Sequence, residues 1–416
     1  MHIIDHTRHD SRRKPKRNSK SKFRLFIIAS SVLLLSYSSF MTYRFVRPVP
    51  AIQPVIKNMN QVVEPVQIAW PSYGQASVGE KDAGLLASSP NQTPRPTASV
   101  AKVMTALAVL RQKPLKPGET GPTITLTSAD VDLYNQYIAK DGSVVKVVAG
   151  EKITQYQALQ AMLLPSANNI ADSLSSWAFG SSREYVNYAN SLAMSLGMKK
   201  TTISDASGYS PLTVSTASDL VVLARAALRE PVLAEIVAQP TASIPVHGEV
   251  RNVNWLLGSS GVNGIKTGNT DEAGGCFMVS TVRTLGTGEK KTLIAVILGA
   301  PTRNKAINDS LPLISSTESN FVPVTVARKG QVVGYYSVPW SGNVRSVVKD
   351  DVIISHWRGT PLRPKTELVD AVVPSVKGTK VGTITVKDQM QKSDITLADE
   401  IPAPPNSWRF QRAYQL

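Results

Sequence analysis

Pro96-Thr97-Ala98-Ser99-Val100-Ala101-Lys102-Val103-Met104-Thr105-Ala106-Leu107 sets a serine and a lysine three residues apart at the head of an almost wholly apolar run. A helix that is apolar on most faces is a buried one, and the run predicts a helix over Ser99–Leu110. Positions three apart on a helix share a face, so Lys102 can reach the Ser99 hydroxyl. The helix N-terminus also favours a negative charge developing there. S-x-x-K alone is a weak pattern: Ser11–Lys14, Ser19–Lys22, Ser143–Lys146 and Ser346–Lys349 match it as well. The first two lie in a basic N-terminal tail. The last two sit in Val-rich stretches that read as extended, where residues i and i+3 point to opposite faces. Ser99 is therefore the candidate nucleophile and Lys102 its candidate base.

Histidine usage narrows the chemistry. Of the five histidines, His2, His6 and His9 lie in the tail, leaving His247 and His356. A Ser-His-Asp hydrolase would have to use one of these, and a lone histidine is more often structural. Metal sites built from several His or Cys ligands are disfavoured, so no metal and no cofactor is expected. A lysine base is the remaining route to an activated serine.

Two further triplets stand out. Ser166-Ala167-Asn168 fits S-x-N, as do Ser89-Pro90-Asn91 and Ser341-Gly342-Asn343. The Ser166 copy follows a helix and Pro165, on a loop whose side chains can face a cleft. It would equally serve as an N-cap for a helix over Asn169–Trp177, and spacing does not choose between the two. Lys266-Thr267-Gly268 precedes Gly274-Gly275 and a strand. Gly268 would let a substrate backbone lie close to the strand; the plainer alternative is an edge-strand lysine followed by a turn.

Taken together and in this order, S-x-x-K, S-x-N and K-T-G are the signature of penicillin-recognising serine acyl-transferases. The flanks narrow the resemblance. Pro96–Leu107 resembles the low-molecular-weight D-alanyl-D-alanine carboxypeptidases, penicillin-binding proteins of serine peptidase family S11. So do Gly264-Ile265-Lys266-Thr267-Gly268-Asn269-Thr270-Asp271-Glu272-Ala273-Gly274-Gly275-Cys276, Ser204-Asp205-Ala206-Ser207-Gly208-Tyr209-Ser210-Pro211 and Thr216-Ala217-Ser218-Asp219-Leu220. The resemblance runs from about Pro65 to about Ser319 and less specifically to about Phe410. It implies an α+β fold with a β-lactamase/transpeptidase-like catalytic domain, an antiparallel sheet with helices on its faces plus a helical subdomain, followed by a small all-β domain. It also implies removal of the terminal D-alanine from peptidoglycan stem peptides through an acyl-enzyme on Ser99, with β-lactams as inhibitors. Lys102 would take the serine proton, its pKa lowered by burial and by Lys266 as a second cation. Ser166 would pass the proton to the leaving D-alanine. Asn168 would hold the substrate amide, Lys266 and Thr267 the terminal carboxylate, Gly268 would line the strand, and the N–H groups of Ser99 and Asn269 would form the oxyanion hole.

The chain departs from that pattern twice. Ala167 stands where glycine is usual, which is expected to narrow the cleft. The arginine often found near the start of the strand after K-T-G is replaced by Lys290-Lys291-Thr292-Leu293, so either lysine supplies the charge or the contact is missing. A β-lactamase-like hydrolase shares the triplets, but the local E-x-x-L-N pattern of the class A enzymes is absent from the sequence. A cross-link endopeptidase is not separated from a carboxypeptidase, and a non-catalytic wall-binding scaffold would not need all six motif side chains.

Size and charge frame this reading. The 416 residues are 42% apolar and 18% charged, enough for two or three domains. Residues 1–24 hold nine Lys or Arg against Asp5 and Asp10 and so supply +7 of the net +16. The uncharged stretch Leu25–Tyr43 follows, close to the ~20 residues that span a bilayer. Basic charge beside an apolar span indicates a membrane rather than nucleic acid, with the N-terminus cytoplasmic and the rest outside. No convincing cleavage site follows, so an uncleaved anchor is expected. The expected organisation is a basic tail (1–24), anchor (25–43), Pro-rich linker (44–64), catalytic domain (65–320) and β domain (321–416). The end of the chain, Trp408-Arg409-Phe410-Gln411-Arg412-Ala413-Tyr414, reads as too short for an amphipathic anchor of its own. Cys276, the only cysteine, reads as a small packed hydrophobe.

Overall fold

The computed structural model describes residues 19–57, 65–386 and 391–414. The Ser11–Lys14 copy of S-x-x-K and part of the expected linker lie outside them. The apolar N-terminal stretch is one helix, α1 (Ser19–Val46). Its Lys20–Val46 portion is long and apolar enough to cross a membrane, with a mean hydropathy of 1.8 and no residue of its apolar window buried. The linker expected over 44–64 is only partly a linker. The helix runs on to Val46, and β1 (Pro54–Ile56) pairs with a strand nearly three hundred residues later.

The central sheet is antiparallel. It contains β2 (Gln75–Glu80), β3 (Gly84–Ser88), β4 (Val262–Thr270), β5 (Gly274–Thr284) and β6 (Lys290–Ala300), in the order β4-β5-β6-β2-β3. Lys266-Thr267-Gly268 therefore lies within an edge strand rather than ahead of one. Side chains alternate across β6. Ile294, Val296 and Leu298 join the helical core, whereas Leu293, Ala295 and Ile297 join a second core under a C-terminal helix. Burial on both faces explains why the strand reads as a continuous apolar run. Val66–Trp70 forms no strand. Val66, Ile68 and Trp70 instead pack on the second core.

The helices fill the other side. They are α2 (Lys102–Gln112), α3 (Ser128–Ile138), α4 (Gln155–Leu163), α5 (Asn168–Phe179), α6 (Ser182–Leu196), α7 (Ala217–Arg229), α8 (Pro231–Val237) and α9 (Arg303–Ser319). Every residue of α2 from Lys102 to Leu110 is buried, as its composition predicts. The helix does not begin at Ser99, however. Ser99 sits on a 3-10 turn, Ala98–Ala101, that leads into it. Gly197 closes α6 in the left-handed conformation, at the expected position.

Beyond α9 the chain is mostly β: β7 (Phe321–Ala327), β8 (Val332–Val338), β9 (Gly342–Val348), β10 (Val352–Trp357), β11 (Pro364–Leu368), β12 (Lys380–Val386) and β13 (Lys392–Leu397). Six strands form a sheet in the order β1-β8-β9-β13-β12-β11, and β7 pairs with β10. The small all-β domain expected here is supplied by these strands. The end of the chain is a nine-residue helix, α10 (Asn406–Tyr414). It packs on the foot of α1, where the Phe410 and Phe45 rings lie 4.8 Å apart and the Arg409 guanidinium donates to the Phe45 carbonyl at 3.1 Å.

One close approach fixes the nucleophile turn. Gly208 has φ +70°, and a Cβ there would lie 2.0 Å from the Ala98 carbonyl oxygen. Gly208→Ala is expected to cost about 2–4 kcal/mol in urea unfolding, from left-handed strain plus overpacking.

Candidate active site

The site assembles from three elements. Ala98, left-handed at φ 46°, throws Ser99 onto the turn ahead of α2, where it faces a cleft and is only partly buried. Lys102, at the start of α2, is fully buried. Its Nζ lies 2.8 Å from Ser99 Oγ, 2.6 Å from Asn168 Oδ1 and 2.8 Å from the Ser207 carbonyl. As an ammonium it donates to all three. As a neutral amine it keeps two N–H donors for Asn168 and Ser207 and turns its lone pair on the Ser99 hydroxyl. The site thus satisfies the lysine in both protonation states. One turn on, Thr105 bonds Tyr185 and donates to the Ala206 carbonyl, which anchors the 205–208 loop to the same helix.

Ser166 lies between α4 and α5 in a left-handed conformation, φ 73°. It does not cap α5: the N-cap is Ala167, with no side-chain cap bond. Its hydroxyl instead accepts from Lys266 Nζ at 2.9 Å. The methyl group of Ala167 is packed in the helical core, so it does not narrow the cleft as expected. Lys266 and Thr267 are buried on β4, and Asn269 is exposed at the rim. The role expected of Gly268 also changes. Its missing side chain makes room for the nucleophile turn rather than for substrate, since a Cβ there would lie 3.0 Å from both the Ser99 nitrogen and the Ala98 Cβ. A cleft of about 340 Å³ opens over Ser99 and Asn168, walled by Lys140–Ser143, Tyr209–Pro211 and Asn269–Glu272.

Burial dominates the electrostatics. It lowers the Lys102 pKa to about 7, opposed by the carboxylates Asp205 and Asp172. Lys266 is itself held well below the ordinary lysine range, by burial first and then by the charges of Lys102 and Arg303. Arg303, at the head of α9, is the cation near K-T-G. Lys291 is instead paired with Glu289 and lies over the Phe321 ring. Asp172, Asp205 and Tyr137 were missed as well. Asp172 follows Asn168 by four residues on α5, a spacing that places both on one face and could have flagged it. Cys276 is buried and its thiol is pushed up to about 11, so it stays inert. His247 accepts from the Lys146 amide and His356 bonds the Thr360 carbonyl, so neither histidine serves Ser99. Ser89 accepts from the Ala76 amide, which explains that copy of S-x-N structurally.

A serine reached by a buried lysine, a second buried lysine on an edge strand and no histidine within reach define a serine hydrolase working by acyl transfer. The D-alanyl-D-alanine carboxypeptidase model of family S11 matches residues 75–302, more than half of the chain. The carboxypeptidase DacB2 of Mycobacterium tuberculosis is 33% identical over 230 residues, covering 53% of this chain and 73% of that one. A D-alanyl-D-alanine endopeptidase of Pseudomonas aeruginosa is 30% identical over 220 residues, covering 50% and 66%. The DD-transpeptidase of Streptomyces K15 superposes with a TM-score of 0.53 at 25% identity, covering 61% of this chain and 98% of that structure. Penicillin-binding protein 5 of Haemophilus influenzae shares the fold, with a TM-score of 0.56 over 82% of this chain and all of that one at 19% identity. The chain belongs to the D-alanyl-D-alanine carboxypeptidase family of penicillin-binding serine hydrolases, whose substrate class is peptidoglycan peptides.

Two outcomes follow from the geometry. Only neutral Lys102 can accept a proton, so covalent labelling by a fluorescent penicillin should level off above pH about 7 and fall below it, by about tenfold per unit. A pH series of labelling rates checks this. Gly268→Val should push the nucleophile turn away from β4 and cut labelling by about a hundredfold or more, the scale of losing an oxyanion donor, while circular dichroism stays unchanged.

Proposed function

We propose that Ser99 attacks the carbonyl of the penultimate D-alanine of a stem peptide, with neutral Lys102 taking its proton. The proton passes by way of Ser166 to the departing D-alanine nitrogen. Asn168 holds Lys102 and the substrate amide. Lys266, Thr267 and Arg303 receive the terminal carboxylate. The N–H groups of Ser99 and Asn269 stabilise the oxyanion, and water then releases the acyl group from Ser99. The observation that carries this reading is the fully buried Lys102 Nζ at 2.8 Å from Ser99 Oγ.

We further propose that α1 is an uncleaved single-pass anchor, with the basic tail cytoplasmic and the catalytic domain outside. The charge asymmetry across the apolar segment supports that orientation. The domain scheme then reads tail, anchor, catalytic domain over about 65–320 and β domain over 321–416, the last also recruiting Ile52 and β1 from the linker. The pairings of Ile52 with Ala371 and of β1 with β8 support this assignment.

The test is to incubate the full-length protein in detergent with a pentapeptide ending in D-Ala-D-Ala and, separately, with a cross-linked dimer. The expected result is free D-alanine from the first, abolished by Ser99→Ala. Cleavage of the dimer alone would replace the carboxypeptidase reading with an endopeptidase one. Absence of both products and of label on Ser99 would overturn the mechanism.

A further inference from the structure

The oxygen atoms around Lys102 are themselves held from one place. Asn168, which accepts from Lys102, heads α5, and Asp172 follows it one turn later on the same helix. Ser207, whose carbonyl also accepts from Lys102, is tied back to that turn. Tyr137 on α3 donates to Asp172 Oδ2 at 2.7 Å and lies 3.2 Å from Ser207 Oγ. Ser207 Oγ has one proton to give, either to the Tyr137 oxygen or to Asp205 at 2.7 Å. In the first arrangement hydrogen bonds run from Ser207, whose carbonyl holds Lys102, through Tyr137 to Asp172.

We propose that Asp172 is a positioning residue for Lys102: through Tyr137 and Ser207 it fixes an oxygen to which the lysine points. The inference rests on the acyl-enzyme reading given above. The groups facing Asp172 support it. Lys102 comes from α2, Tyr137 and Lys140 from α3 and its end, Asp205 from the loop and Tyr185 from α6. Asp172 is one of two carboxylates that raise Lys102 against its burial. Desolvation holds Asp172 itself up to about 6, so it is charged above that pH and neutral below.

The sign follows. With Asp172 charged, Lys102 keeps its proton to a higher pH, and the base form appears later. Removing the charge must move the acidic limb of the labelling profile to lower pH. The test uses the full-length chain in detergent, labelled with a fluorescent penicillin between pH 5 and 9. Asp172→Asn should shift the midpoint by about one unit toward acid. Between that midpoint and pH about 6 labelling relative to the plateau should be up to a few fold faster than in wild type, and the two profiles should converge well below pH about 6, where wild-type Asp172 is already neutral. Tyr137→Phe removes the donor that keeps Asp172 ionised and should shift the limb the same way. It decides the matter if Asp172→Asn does not fold. A midpoint unmoved in the folded variants, or a plateau that falls while the midpoint stays, would overturn the inference while leaving the acyl-enzyme intact. A wild-type chain that takes no label on Ser99 would overturn the acyl-enzyme reading first.

Discussion

A lysine with no access to water must either lose its proton or find oxygen atoms to hold it. This fold buries two in one cleft, and the rest of the site can be read as the response. Lys102 receives three oxygen partners from three different segments, and Lys266 receives the Ser166 hydroxyl and a backbone carbonyl. Removing one partner from such a network leaves a buried polar group unsatisfied, which costs more than the bond itself contributes. The two cations also repel one another, so the site cannot hold both fully charged and proton transfer is easy.

The second feature is backbone strain placed beside both serines. Ala98 precedes Ser99 and Ser166 is itself left-handed, each outside the regions that side chains prefer. Such conformations persist only where the surroundings over-determine them. Here Gly208 presses on the Ala98 carbonyl and Gly268 admits the Ser99 turn against β4. The two glycines serve the same end from opposite sides: the hydroxyl is aimed by backbone contacts and not by its own rotamer alone.

Much of this was legible in the sequence because it rests on local patterns. The apolar run after Ser99 announced a buried helix. Motif order brought Ser99, Lys102, Ser166, Asn168 and Lys266 together. What stayed hidden depended on contacts distant in the chain. Arg303 comes near Lys266 only because α9 folds back across the sheet. Tyr137 carries no pattern at all, and its role comes from meeting Asp172 and Ser207 across the fold. Gly268 was assigned the right reason, close approach, and the wrong neighbour, because a strand's two faces cannot be told apart without its partner. The Pro-rich spacing after α1 hid β1, since three residues are too few to show a period of two.

The pairing of β1 with β8 bears on how the protein is built. Pro54 lies opposite Tyr336, so the segment that enters the catalytic domain waits for a partner made after that whole domain has been synthesised. Domains fold largely as units and N-terminal parts first, so the catalytic domain is complete before the six-stranded sheet can accept its outermost strand. Closing that sheet threads the enzyme into a loop, at an entropic cost that grows only slowly with the length enclosed. The β sheet therefore acts as a late clasp, and a nascent chain can hold a finished active site while its two ends are still apart.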